Sequence, residues 1–178
     1  MPTTQKLDEP EAAVLIRFRD CDPFGHLYTA SYIAYFHEAL EDHMKRHYGL
    51  DIYAHAAQSG LGWYVTRNQV AYFAPAKLNS TVLIRLRMLR FDDNLAQLEG
   101  LMLDAQSRQL KSFAWFHFRF VDIKRGRPVR ITEDLRTLFG RMLFAETPME
   151  LEHFEGRSGQ VWQSHRLELQ GSREGGRA

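Results

Sequence analysis

From Val14 the chain alternates. Val14, Ile16 and Phe18 fall on one face, and Leu15, Arg17 and Arg19 on the other. A period of two with one apolar side predicts a half-buried strand. The run stops at Asp20-Cys21-Asp22-Pro23-Phe24-Gly25, where Asp, Pro and Gly together mark a tight turn. The period then changes to that of a helix. Tyr32, Ile33, Phe36, Ala39, Leu40 and Met44 recur at three- and four-residue spacing, with His37, Glu38, Glu41, Asp42, Lys45 and Arg46 between them. One stripe is apolar and one solvated, which predicts a long amphipathic helix, with Gly49 as its stop.

After a loop around Ser59–Gly62, four strand-like runs follow on short connections: Trp63–Phe73, Thr81–Leu89, Leu95–Leu103 and Leu110–Val121. Polar turns at Asp92-Asp93-Asn94 and Gln106–Gln109 suit antiparallel hairpins rather than crossover helices. The last run has Ala114, Phe116, Phe118 and Phe120 on one face and Phe113 and Trp115 on the other. A strand apolar on both sides is covered on both sides. The helix supplies one cover; a partner chain or the C-terminal segment supplies the other. A short amphipathic helix is predicted over Glu133–Phe144. Beyond Glu146 the periodicity fades, and Leu169–Ala178, rich in Gly and charge, is expected to be mobile and, after Gly171, dispensable.

Strand, long helix, then four strands is an α+β arrangement in which one helix buries its stripe on one curved antiparallel sheet. With 178 residues and no internal repeat of useful length, one domain over 1–145 with an extension over 146–178, partly flexible, fits the chain. Composition narrows the function. Lys plus Arg is 23 against 22 for Asp plus Glu, so the basic surplus typical of a nucleic-acid binder is missing. The lone Cys21 forms no internal disulfide. Met1–Pro10 lacks the apolar segment of a signal peptide, and no apolar run approaches the roughly 18 residues of a membrane span. The expectation is a cytoplasmic protein.

The candidate chemistry clusters in the first turn. Asp22 sits between a strand and a helix, where a carboxylate is held by backbone geometry; on local grounds alone it reads as a turn or helix-entry residue. His43 and His47 have the spacing of a helical metal pair, but Met44 stands where a zinc-protease pattern has Glu. His37, His43 and His47 therefore read as solvated helix-face residues, and no metal or cofactor is expected.

Phe18–His26, followed by Tyr32-Ile33-Ala34-Tyr35-Phe36, resembles the start of the 4-hydroxybenzoyl-CoA thioesterase family: D-x-D-x-x-G, a short gap, then Y-x-x-Y-F on the helix. Val70-Ala71-Tyr72-Phe73-Ala74-Pro75-Ala76 resembles the family's strand ending in a Tyr-x-x-Pro-Ala turn. The order and spacing of elements match from about Val14 to Val121. The resemblance implies the hotdog fold, a homodimer or homotetramer with active sites at a subunit interface, and hydrolysis of an acyl or aromatic acyl thioester of CoA. It implies Asp22 as nucleophile or general base. It implies the Thr29 backbone N–H as oxyanion donor, although relatives often carry His, Tyr or Asn at that position. Gly25, His26, Tyr32 and Arg90 are the implied substrate-binding residues. His26 is also read as a structural histidine. A basic cluster near Arg90 holds the nucleotide in one branch, but Phe91-Asp92-Asp93 follows it here. That leaves room for an acyl-carrier-protein thioester as substrate, and a binding protein without turnover is the other alternative. Tyr32, Trp63, Tyr64 and Phe73 are candidates to line an acyl pocket.

Overall fold

The computed structural model of the chain describes residues 10–144 and 153–174, with side chains to residue 170. The first strand, β1 (Glu11–Leu15), lies earlier and ends sooner than its alternation suggests. A one-turn 3-10 helix at Phe18–Asp20 follows. Ile16 is fully buried, but Phe18 has turned outward and is 83% exposed, because the extended period ends before it. Next come α1 (Ser31–Arg46), α2 (Ile52–Ser59), β2 (Leu61–Tyr72), β3 (Thr81–Phe91), β4 (Leu95–Asp104), β5 (Leu110–Asp122), β6 (Arg127–Pro128), α3 (Glu133–Met142) and α4 (Phe154–Glu174).

The four long strands and α1 form where the periodicity places them, and α3 within two residues of its predicted end. α2 lies in the stretch between Gly49 and the predicted loop at Ser59–Gly62, where the periodicity predicts no element. Its signals are local. Asp51 caps it by accepting from the Tyr53 and Ala54 N–H groups, and Gly60 ends it in a left-handed conformation at φ 70°.

All pairings between the described strands are antiparallel, in the order β1-β3-β4-β5-β2, and β6 pairs with the end of β5. The sheet curves around α1, which gives the hotdog fold. Tyr32, Phe36, Ala39 and Met44 of α1 bury against Ile84, Met88, Leu98 and Phe116 on the concave face. The helix sits so close that a Cβ on Gly100 of β4 would lie 2.8 Å from the Phe36 ring. His43 falls on this buried stripe, correcting the reading of a solvated helix face. It is 2% exposed, and neither ring nitrogen has a hydrogen-bond partner among the described residues. His37 is half-buried, its ring 5.2 Å from Phe116 and 5.8 Å from Phe118. Only His47 of the three is exposed.

The convex face is covered by the chain itself. Phe154 of α4 packs 5.6 Å from Phe113 and 5.5 Å from Trp115, and Val161 joins the same cluster. The second cover required by the doubly apolar β5 is therefore the C-terminal segment. Leu169–Glu174 continues α4 as helix, and residues 175–178 lie outside the described residues.

Candidate active site

Between the 3-10 turn and α1 the chain folds back on itself. Isolated bridges pair Cys21 with Leu27 and His26 with Lys77. Asp22 organises this turn. Its N–H donates to the His26 carbonyl at 2.8 Å, and its own carbonyl accepts from the Gly25 N–H at 3.0 Å. One carboxylate oxygen, Oδ1, accepts from the backbone N–H of Phe24 at 2.9 Å and of His26 at 3.0 Å. The other oxygen has no hydrogen-bond partner among the described residues. The carboxylate is thus half-buried, oriented through one oxygen and open at the other. Gly25 is required by conformation rather than space: φ is +72°, and a Cβ there would meet nothing within 4 Å.

Asp20 is in a different position. Its Oδ2 accepts the Tyr35 hydroxyl at 2.9 Å, and Arg19 lies 3.5 Å from Oδ1. Burial, together with that bond to Asp20, pushes the Tyr35 hydroxyl up to about 12, so it remains a donor at neutral pH.

The two sequence motifs meet in space. The Tyr32 hydroxyl accepts from the Ala76 N–H at 3.2 Å, and the Tyr72 hydroxyl donates to the Thr29 carbonyl at 3.2 Å. The Tyr32 and Tyr72 rings pack edge to face at 5.0 Å. Burial pushes the Tyr32 hydroxyl up, and the Asp22 and Cys21 charges add to this, which puts it in the electrostatic reach of Asp22. Tyr72 and Lys77 complete this corner; the sequence offers Lys77 only as one of several scattered basic candidates for the phosphates of a CoA thioester, and Tyr72 only within the Tyr-x-x-Pro-Ala segment. Their signal was the Tyr-x-x-Pro-Ala segment, whose turn delivers them to the α1 entrance.

Thr29 is exposed at that entrance, and its N–H makes no hydrogen bond among the described residues. α1 has no side-chain cap at Ala30 and no acidic residue in its first turn. Nothing on the helix itself neutralises its positive end there.

Asp22, Gly25, His26, Thr29 and Tyr32 therefore gather at one corner. Arg90 does not join them within one chain. It is the penultimate residue of β3, whereas the Asp22 turn meets the chain at Ala76–Leu78, just before that strand begins. Roughly ten residues of strand at ~3.3 Å each separate the two. The four aromatics proposed for an acyl pocket also part company. Trp63 lines an apolar cleft of about 70 Å³ with Leu40, Met44, Phe118 and Phe139. Tyr64 is exposed, and Phe73 stacks at 6.1 Å on Trp162 of α4. Among the described residues no cluster of His, Cys, Asp and Glu could hold a metal ion, and no helix is long and apolar enough to cross a membrane.

Residues 16–139 match the model of the thioesterase-like superfamily. No curated protein matches the sequence. Among solved structures, the chain is similar to a 1,4-dihydroxy-2-naphthoyl-CoA thioesterase from Synechocystis, at 17% identity and a TM-score of 0.68 over 73% of this chain and 94% of that one. A probable thioesterase from Escherichia coli is 18% identical, with a TM-score of 0.65 over 75% and 98% of the two chains. A protein from Staphylococcus aureus solved in complex with CoA is 13% identical, with a TM-score of 0.72 over 84% and 95%. These likenesses share the fold, and the family match spans the Asp22 turn, α1 and strands β2 to β6: the chain belongs to the thioesterase-like superfamily.

Proposed function

We propose that the protein hydrolyses an acyl or aromatic acyl thioester of CoA to the free acid and CoA, with Asp22 as nucleophile or general base. The observation that carries this reading is the Asp22 carboxylate itself: one oxygen is fixed by two backbone N–H groups, and the other is open beside the unneutralised entrance of α1. A thioester carbonyl needs an attacking oxygen and donors for the oxyanion. As nucleophile, the open oxygen bonds to the carbonyl carbon, the C–S bond breaks with its electrons on sulfur, and water then cleaves the mixed anhydride. As base, the same oxygen takes a proton from water as that water attacks the carbonyl carbon; the C–S bond then breaks with its electrons on sulfur, and the thiolate takes up the proton. In both routes the Thr29 N–H is the oxyanion donor, a contribution typically of ~3 kcal/mol. Gly25 shapes the turn, and His26 and Tyr32 flank the carbonyl.

The CoA complex of the Staphylococcus aureus protein and the CoA-thioester name of the Synechocystis enzyme favour a CoA substrate over an acyl-carrier protein. The acyl group belongs in an apolar space, and the Trp63 cleft is lined only by apolar side chains. That cleft and Asp22 come together if the edge strand β2 pairs antiparallel with β2 of a second copy. Such pairing sets the Leu61 end of one strand, next to Trp63, beside the Tyr72 end of the other, next to Thr29.

Turnover over a panel of aliphatic and aromatic acyl-CoA esters, followed with a thiol-detecting reagent, tests the reading. Saturable thiol release from at least one ester is expected. Release only from acyl-carrier-protein thioesters would move the substrate class, and binding of esters without release would contradict hydrolysis.

A further inference from the structure

α4 begins at Phe154, beyond residue 139 where the family match ends, so what it touches lies outside the part of the chain the family accounts for. One of its contacts reaches toward the Asp22 corner. Tyr72 closes β2 and Phe73 follows it. Neighbouring residues of an extended chain point to opposite faces, and here that alternation ties the two sides of the sheet together. On the concave side, the Tyr72 hydroxyl donates to the Thr29 carbonyl at 3.2 Å, and its ring packs edge to face on Tyr32. On the convex side, Phe73 stacks on Trp162 of α4 at 6.1 Å, with the ring planes 20° apart. A single peptide link therefore separates the grip of α4 from the side chain that holds Thr29.

The chain that Trp162 grips leads straight into the Asp22 turn. The Phe73 and Ala74 N–H groups both donate to the Lys111 carbonyl, at 2.9 and 3.2 Å. Three residues on, the Ala76 carbonyl accepts from the Leu27 N–H at 2.8 Å, and the Leu78 N–H donates to the Gly25 carbonyl at 2.9 Å. Segment 73–78 thus has α4 at one end and the backbone of the Asp22 turn along the other. β2 is an edge strand, paired on one side only by β5. Hydrogen bonds hold its end from that side, and packing must hold it from the two faces. Tyr72 is itself exposed, so burial does not fix its hydroxyl; its neighbours do. Trp162 is in turn steadied from within α4. It follows the buried Val161, and the Arg166 guanidinium, one turn on, lies 4.8 Å from its ring centroid. An aromatic stack at the rim of a cluster commonly adds only stability. This one ends a single residue from a hydrogen bond to the helix entrance, which gives it a second consequence.

We propose that Trp162 is a positioning residue for thioester hydrolysis: by stacking on Phe73 it fixes the end of β2, and through Tyr72 it fixes Thr29, whose N–H faces the oxyanion. This rests on the reading of the Asp22 corner as a thioesterase site. A donor held off its mark loses its worth in the transition state, where charge develops on the oxygen, and loses little in the bound ester. The effect of Trp162 therefore belongs in kcat rather than in KM.

Amide hydrogen exchange and acyl-CoA turnover, measured on the same full-length variants well below their melting temperatures, test it. In Trp162→Ala the Leu27 and Leu78 amides, which join the Asp22 turn to segment 73–78, should exchange about tenfold faster. Its kcat should fall about tenfold, with KM within about twofold of the parent. Trp162→Phe keeps a stacking ring and should restore both. Val161→Ala removes buried surface from the same helix but leaves the stack, so it should melt lower with exchange and kcat near the parent. In a Tyr72→Phe background, which lacks the hydroxyl bonded to Thr29, Trp162→Ala should lower kcat little further, because the two act through one bond. Unchanged exchange at Leu27 and Leu78 in Trp162→Ala would overturn the coupling, whatever the turnover. Faster exchange with an unchanged kcat would overturn the positioning role, and full additivity with Tyr72→Phe would overturn the route. A parent that releases no thiol from any ester would overturn the thioesterase reading instead, whatever the exchange shows.

Discussion

Asp20 and Asp22 carry the same group two positions apart, yet Asp20 accepts the Tyr35 hydroxyl and lies near Arg19, whereas Asp22 keeps an open oxygen. The sequence marks both as one motif. Only the approach of Tyr35 from α1 separates their roles, and a contact spanning 15 residues leaves no local signal. His43 is the opposite case. It lies four residues beyond Ala39 and seven beyond Phe36, on the apolar stripe, so its burial was legible from position and was masked by residue type. Burial, with the charge of His47 adding to it, pushes the His43 imidazole down to about 4. The unfolded chain, with a value near 6.5, takes up a proton first as pH falls, so stability drops between about 6.5 and 4. The loss is on the order of 3 kcal/mol when complete. Melting temperatures measured from pH 7 to 4 should therefore fall more steeply for the parent than for His43→Leu. Parallel curves would show that His43 is not the group that resists protonation.

Among the elements, α1 and the four long strands were legible because each repeats its period for ten residues or more. α4 was not. Among its described side chains the buried ones are Phe154, Ser158 and Val161, too sparse for a visible stripe. What holds the helix down is partly a polar contact, Arg157 on the buried Glu99, which periodicity does not register. Burial works against Glu99 ionisation, but the bond from Arg157 and the charges of Arg87 and Arg157 outweigh it, leaving the carboxyl below its usual range. The pairing is fully in place above the unfolded carboxylate value and is lost as pH falls through the lower folded one. Arg157→Ala strips one partner from a buried charge, a change that typically costs about 3–5 kcal/mol. The variant should melt well below the parent, with faster hydrogen exchange in α4 first. An unchanged melting temperature would mean the helix is held by Phe154 and Val161 alone.

At the scale of the whole molecule, the convex cluster at Phe113 and Trp115 is already closed by α4, so the doubly apolar β5 no longer calls for a partner. The unmet demand is at the other edge. β2 is a 12-residue edge strand whose Tyr64 and Val65 are 46% and 44% exposed. A long edge with apolar side chains and unpaired backbone groups is a pairing surface. Sedimentation should give a dimer, twice the 20.8 kDa chain, at micromolar concentration. A monomer would leave the Trp63 cleft and Asp22 in separate places and would remove the acyl site proposed above. The central claim is that hydrolysis runs through the open oxygen of Asp22, and Asp22→Asn tests it most directly. Asn keeps the size and the Oδ1 acceptor that organises the turn but removes the charge, so the fold should survive. Acyl-CoA turnover should fall by ~100-fold or more, the scale of losing a general base, with substrate binding little changed. Turnover within a few-fold of the parent in a folded Asp22→Asn variant would contradict the account.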